Sequence, residues 1–199
     1  MNFLTPNTHT MKKTLIPFLG IVLLCIVHSC VKPRTDNINY FKNHLSTGVD
    51  TSGAVVVNEF VATGSTLANE YGLATDWVEL YNTGDSAINF ATNNYYITDD
   101  STKPDKFVIN GLSIPGKGFL VLFCDDSAKI ITQVHTNFGL SKSGEFIGLF
   151  RKNLAGNFDT LTWHPFGNQN TNISEGRYPD GGNSWTNFTV PTPGAPNHL

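Results

Sequence analysis

Glu59, Asp76, Glu79 and Arg177 are polar residues set within β-prone stretches, and they are the first candidates for chemistry. Two readings of them are open. An arginine can fork onto a carboxylate and tie a C-terminal segment to the strands carrying Glu59 and Glu79. Alternatively, the carboxylates gather round a calcium ion in a metal-dependent hydrolase, which requires roughly six to eight converging oxygens. Further acidic candidates are Asp99, Asp100 and Asp105, and the pair Asp125 and Asp126. None has EF-hand spacing, and adjacent acids on turns usually cap them or face water. His135 and His164 stand at a separation that sets no metal motif. Cys124 closes the apolar run Phe119 to Phe123 and reads as a buried thiol, whose acidic neighbours would raise its pKa rather than activate it. No HExxH, CxxC pair, phosphate loop or GxSxG occurs. The chain is therefore read as non-enzymatic, with no catalytic residue, metal or cofactor assigned.

The elements that must position these residues are short strands. Few charged residues (15%) and abundant Gly, Asn, Thr and Pro suit strands joined by turns better than long helices. Candidate strands are 55–61, 77–82, 87–90, 95–98, 106–108, 118–123, 146–151, 159–163 and 185–188. Residues 67–71 allow one helical turn at most. In residues 77–81 the alternation sends Val78 and Leu80 to the core, with Trp77, Glu79 and Tyr81 on the other face. In residues 55–61 it is ambiguous: Glu59 shares a face with Val55 and Val57, or Asn58 shares one with Phe60. A carboxylate or an amide must then find a partner in an apolar layer. Trp77, Tyr81, Trp163, Trp185 and Phe188 are candidate exposed contacts. The fold class read from this pattern is all-β, an antiparallel sandwich over residues 53–199.

Several stretches carry a resemblance. They are Val57-Asn58-Glu59-Phe60, Asp76 to Asn82, Tyr95 to Asp100, Ile114 to Phe119, Leu140 to Leu149, Glu175 to Gly181 and Pro191 to Asn197. In this order and spacing, residues 54–197 resemble the lamin-tail domain of secreted bacterial proteins. That resemblance implies an immunoglobulin-like antiparallel β-sandwich of the lamin-tail type and little chemistry of its own. Such domains often accompany hydrolases, which implies an accessory subunit of an envelope hydrolase as an alternative role.

Upstream, Met11 to Cys30 has Lys12 and Lys13, a 13-residue apolar stretch from Leu15 to Val27, and Ser29-Cys30. The stretch is short for a bilayer span of about 20 residues and reads as a secretory signal over residues 1–29, with Met11 as an alternative start. Val27-His28-Ser29-Cys30 resembles a bacterial lipobox, which implies lipidation of Cys30, a membrane partner through the lipid, and a polar tether over residues 30–52. Lys32, Pro33 and Arg34 stand where surface-export signals resemble an acidic run, so the reading is a periplasm-facing lipoprotein of the bacterial cell envelope. Asp-Ser/Thr-aliphatic triplets resembling bacterial O-glycosylation acceptors mark Ser86, Ser101, Ser127 and Thr160. The formal net charge of −3, with no basic tract, gives nucleic-acid phosphate nothing to bind. The function read from the sequence is a binding or scaffolding module for an envelope protein or glycan.

Overall fold

The computed structural model describes residues 55–199; the leader, Cys30 and the tether lie outside the described residues. The chain enters strand β1 (Val55–Val61) on a β-branched run and pairs antiparallel with β2 (Asp76–Asn82). A bulge resolves the ambiguity in β1: the register passes from Val57 opposite Leu80 to Glu59 opposite Glu79, leaving Asn58 as the extra residue. Val55, Val57 and Phe60 therefore all enter the core, and Glu59 and Val61 turn to the opposite face.

β1 and β2 are the middle of a seven-stranded sheet. On one side β2 pairs with β7 (Phe119–Cys124), which is followed by β9 (Val134–His135) and β8 (Lys129–Ile130). On the other side stand β12 (Ser174–Arg177) and β13 (Trp185–Phe188). The β7–β9 pairing is parallel, and the rest are antiparallel. The second sheet has the order β11 (Phe158–Pro165), β10 (Phe146–Lys152), β4 (Tyr95–Thr98) and β5 (Phe107–Ile109). A ribbon of β3 (Ile88–Asn89) and β6 (Ser113–Ile114) completes the strands.

Phe60, Val78, Leu80 and Leu122 from the large sheet pack in one cluster with Ile97, Ile109, Ile147 and Leu149 from the small one. Each such burial contributes about 1.5–3 kcal/mol. This is an all-β sandwich of immunoglobulin-like character.

Some local expectations fail. The expected strand 87–90 forms over Ile88–Asn89 but ends at Phe90, where the single helical turn α1 (Phe90–Asn93) begins: the Asn89 side chain caps Ala91 N, and Asn94 ends the turn at φ 47°. Residues 67–71 form instead a turn closed by an Ala68–Ala74 bridge and Gly72 N donating to Asn69 O. Trp77 turns away from the main core as read, yet it is only 1% exposed, because Val61, Leu67, Val121 and Phe123 cover it on the outer face. Phe188 is likewise buried at 3%, so neither is an exposed contact. Tyr81, Trp163 and Trp185 are half-buried.

Candidate functional site

Glu59 and Glu79 are direct partners across β1 and β2, and neither is accessible to solvent. Like charges set opposite each other repel, and burial without donors is costly. The C-terminal segment supplies the donors. Thr192 N reaches both Glu59 oxygens, at 3.1 and 3.2 Å, and Ser174 Oγ reaches Oε1 at 2.5 Å. Glu79 accepts from Asn58 Nδ2 at 3.0 Å and from Gly194 N at 2.6 Å. Asn58 Nδ2 also donates to Asp180, which accepts from Asn197 N in turn. The bulged Asn58 is thus placed to serve Glu79 and Asp180 together. Gly176 permits the approach, since a Cβ there would lie 2.9 Å from Asn197 Nδ2 and 3.0 Å from Asn58 O.

The hydroxyl of Thr192 places a proton in this network. Its one hydrogen faces two acceptors, Glu59 Oε2 at 3.0 Å and Asn197 Oδ1 at 2.8 Å. The Asn197 amide is fixed by Nδ2 donating to Arg177 O at 2.7 Å, so Oδ1 can only accept. Both contacts are satisfied when Glu59 Oε2 carries a proton and donates to Thr192. Burial pushes Glu59 above the ordinary carboxylate range and Glu79 up to about 8, with the neighbouring carboxylates adding to both shifts.

The other sequence candidates do not join this network. Asp76 points to the opposite face of β2 from Glu79, three residues along an unbroken register, where its backbone partner is Leu140 and burial raises its pKa. Arg177 makes no carboxylate fork: among the described residues its guanidinium donates to Val57 O, Gly182 O and Thr162 Oγ1, and lies 4.8 Å over the Trp185 ring. Asp99 pairs with Lys106 at 2.5 Å, and Asp100 caps Thr102 through both its N–H and its hydroxyl. Asp105 and Asp126 are exposed. Cys124 is buried, which drives its thiol pKa well up. Among the described residues no group of three or more His, Cys, Asp or Glu is arranged to hold a metal ion. A groove of about 360 Å³ is lined by Asn187, Phe188, Thr189, Val190, His198 and Leu199, away from Glu59 and Glu79.

Two polar clusters escaped the sequence reading. His135 is clamped between Asp125, 2.6 Å from Nδ1, and Glu70, 2.9 Å from Nε2. His164 meets Glu175 at 2.6 Å and stacks on Trp185, ring centroids 3.7 Å apart. Both bring together residues far apart in the chain, and no local spacing announces them. Of the glycosylation candidates, Ser86 is exposed. Ser127 donates to Asp125 at 2.6 Å, and Thr160 lies within β11 opposite Phe150. Ser101 is buried at 2% exposure, which removes it as an accessible acceptor.

The two outer faces of the sandwich differ. On that of the large sheet the 62–75 loop covers Trp77 and the C-terminal segment covers Glu59 and Glu79, while Tyr81 and Phe119 stay half-buried. That of the small sheet carries an aromatic cluster in which half-buried Tyr96, Phe158 and Trp163 pack over buried Phe146 and Phe150. Trp163 stacks on Phe146 at 6.1 Å, Tyr96 meets Phe158 edge-on at 5.3 Å, and Lys152 Nζ lies 5.5 Å over Phe158. Val108 stands exposed at the β5 edge of the same sheet. No family model matches the chain, and no curated protein matches it significantly.

Proposed function

We propose that this chain is a non-catalytic binding module of lamin-tail type, tethered to a bacterial envelope membrane through a lipid on Cys30, which engages an envelope protein or glycan. The aromatic face of the four-stranded sheet carries this reading. An antiparallel sheet with one solvated face normally alternates apolar and polar residues, and this one places Tyr96, Phe158 and Trp163 together on the solvent side. A contiguous apolar patch on a surface otherwise rich in polar groups marks a contact site. Support for a binding rather than a catalytic role comes from Glu59 and Glu79. Their oxygens are occupied by the chain's own donors, and Asp76 stands on another face.

The test is capture from the native envelope by the full lipoprotein, with quantification of what is retained. A Tyr96→Ser/Phe158→Ser/Trp163→Ser triple variant, checked for an intact near-ultraviolet spectrum and cooperative melt, is expected to retain several-fold less. Equal retention by the folded triple variant counts against this face. Hydrolytic activity that depends on added calcium and is abolished by Glu79→Gln would favour the metal-dependent hydrolase instead. A separate arm addresses the anchor. Cys30→Ser should move the protein from the membrane to the soluble fraction, and an unchanged membrane fraction would remove the lipid from the proposal.

A further inference from the structure

The loop joining β1 to β2, residues 62–75, lies over the outer face of the large sheet. Leu67 packs there with Val61, Trp77 and Phe123, and Ser65 Oγ accepts from Trp77 Nε1 at 3.1 Å. Its far end is fastened at His135, whose side chain is wholly inaccessible. Both ring nitrogens face carboxylate oxygens, Asp125 Oδ2 at Nδ1 and Glu70 Oε2 at Nε2. An ionised carboxylate only accepts, so each ring nitrogen must carry a proton and the ring is an imidazolium. Phe123 stacks on the ring at 5.7 Å and Tyr71 lies at 5.8 Å, enclosing the charge in apolar surface.

We propose that His135 is a protonation latch: its imidazolium fastens the 62–75 loop to the sheet through Glu70, and loss of one ring proton frees the loop and uncovers Trp77 and Phe123. The two carboxylates are not equivalent. Asp125 is held by Ser127 Oγ at 2.6 Å and touches Asn69 Nδ2 at 3.4 Å, so the shorter Nδ1 contact keeps its proton. Glu70 is the more exposed partner, and beyond the ring its carboxylate is supported by the Thr132 hydroxyl at 3.3 Å and by its own backbone N–H. A neutral Nε2 would set a lone pair against the Glu70 carboxylate, and Glu70 has water to turn to. Among the described residues the charged or titratable groups around the ring are Asp125, Glu70, Tyr71 and Lys129, the last being the strand partner of His135.

Burial disfavours the cation, but the hydrogen bonds and charges of Asp125 and Glu70 outweigh it and raise the ring above its ordinary 6.5. A raised histidine contributes fully below the unfolded-state value and loses its contribution as pH climbs through the folded one. The latch is therefore closed below the ring's ordinary value and opens as pH rises through its raised one. Glu70 and Asp125 are lowered despite the burial that opposes it, aided by their contacts with the ring, so mild acid leaves the clamp intact.

Two measurements on the full chain test it. Long-range proton–nitrogen NMR of His135 at pH 6 is expected to show both ring nitrogens protonated; an unprotonated one overturns the proposal. Amide exchange over residues 66–74, corrected for the intrinsic pH dependence, should lose protection roughly tenfold per pH unit as pH climbs from the free-histidine value towards the ring's midpoint and level off above it, as release of one proton requires. The amides of β1, β2 and β7 should hold. Loop protection that stays constant through the ring's titration also overturns the latch. Glu70→Gln separates latch from fold: its amide can donate to a neutral Nε2, so this variant should stay closed at alkaline pH. Opening of Glu70→Gln in step with wild type would contradict the latch.

Discussion

Glu59 and Glu79 face each other across β1 and β2 out of reach of water, and that placement fixes how this protein responds to pH. Burial holds a proton on Glu79 up to about 8, whereas the unfolded chain releases it near 4.5. Between these values the folded state binds more protons than the unfolded one, so stability falls as pH rises from about 4.5 to about 8. Glu59 and Glu145, both raised by burial, add slopes of the same sign. Glu79→Gln, which cannot ionise, should flatten this profile, read by urea denaturation at pH 5.5 and 8.5. A wild-type stability that climbs over this range would contradict a buried protonated pair. Thr192→Val keeps the backbone donor but removes the hydroxyl that links Glu59 to Asn197. Leaving the Glu59 proton without an acceptor and Asn197 Oδ1 without a donor should cost about 1–3 kcal/mol in the same assay.

At the scale of elements, the C-terminal segment behaves as a sheet cover made of single hydrogen bonds. Thr192 N and Gly194 N end on the buried carboxylates of β1 and β2, and Asn197 N on half-buried Asp180 in the turn after β12. Gly176→Ala sets a Cβ against Asn197 and the Asn58 carbonyl, and overpacking of this kind costs about 1–3 kcal/mol. That loss should appear in the thermal melt together with faster amide exchange at residues 192–197. The longer strands were legible in the sequence because Val, Ile and aromatic residues alternate there, as in β2 and β10. The four short strands β6, β8, β9 and β12 were not. In β12, Ser174 and Gly176 lie beneath the C-terminal segment while Glu175 and Arg177 meet polar partners, so no apolar period appears. Glu59 and Glu79 could be singled out because a carboxylate in a strand must be answered. What answered them, beside the Asn58 amide, was backbone and hydroxyl donors more than a hundred residues away, which no local pattern encodes. Arg177 was expected to supply that charge and instead binds carbonyls, because the bulge at Asn58 leaves Val57 O facing it.

For the molecule as a whole, much of one outer face is covered by its own chain, with Tyr81 and Phe119 half-buried at 4.8 Å beside that cover, and the other carries a larger group of aromatic rings. The large sheet gives part of its outer surface to the 62–75 loop and the C-terminal segment. The small sheet keeps Tyr96, Phe158 and Trp163 at the solvent boundary, with Lys152 beside them. Aromatic groups of this kind bring large contact area and lose little side-chain freedom on binding. The most direct test of a binding face is hydroxyl-radical footprinting of the lipoprotein on its own envelope, compared with the purified protein. Protection at Tyr96, Phe158 and Trp163, with Pro191 to Asn197 labelled equally in both states, is the predicted result. Equal labelling of those three rings on and off the envelope, or protection confined to the C-terminal face, would contradict it.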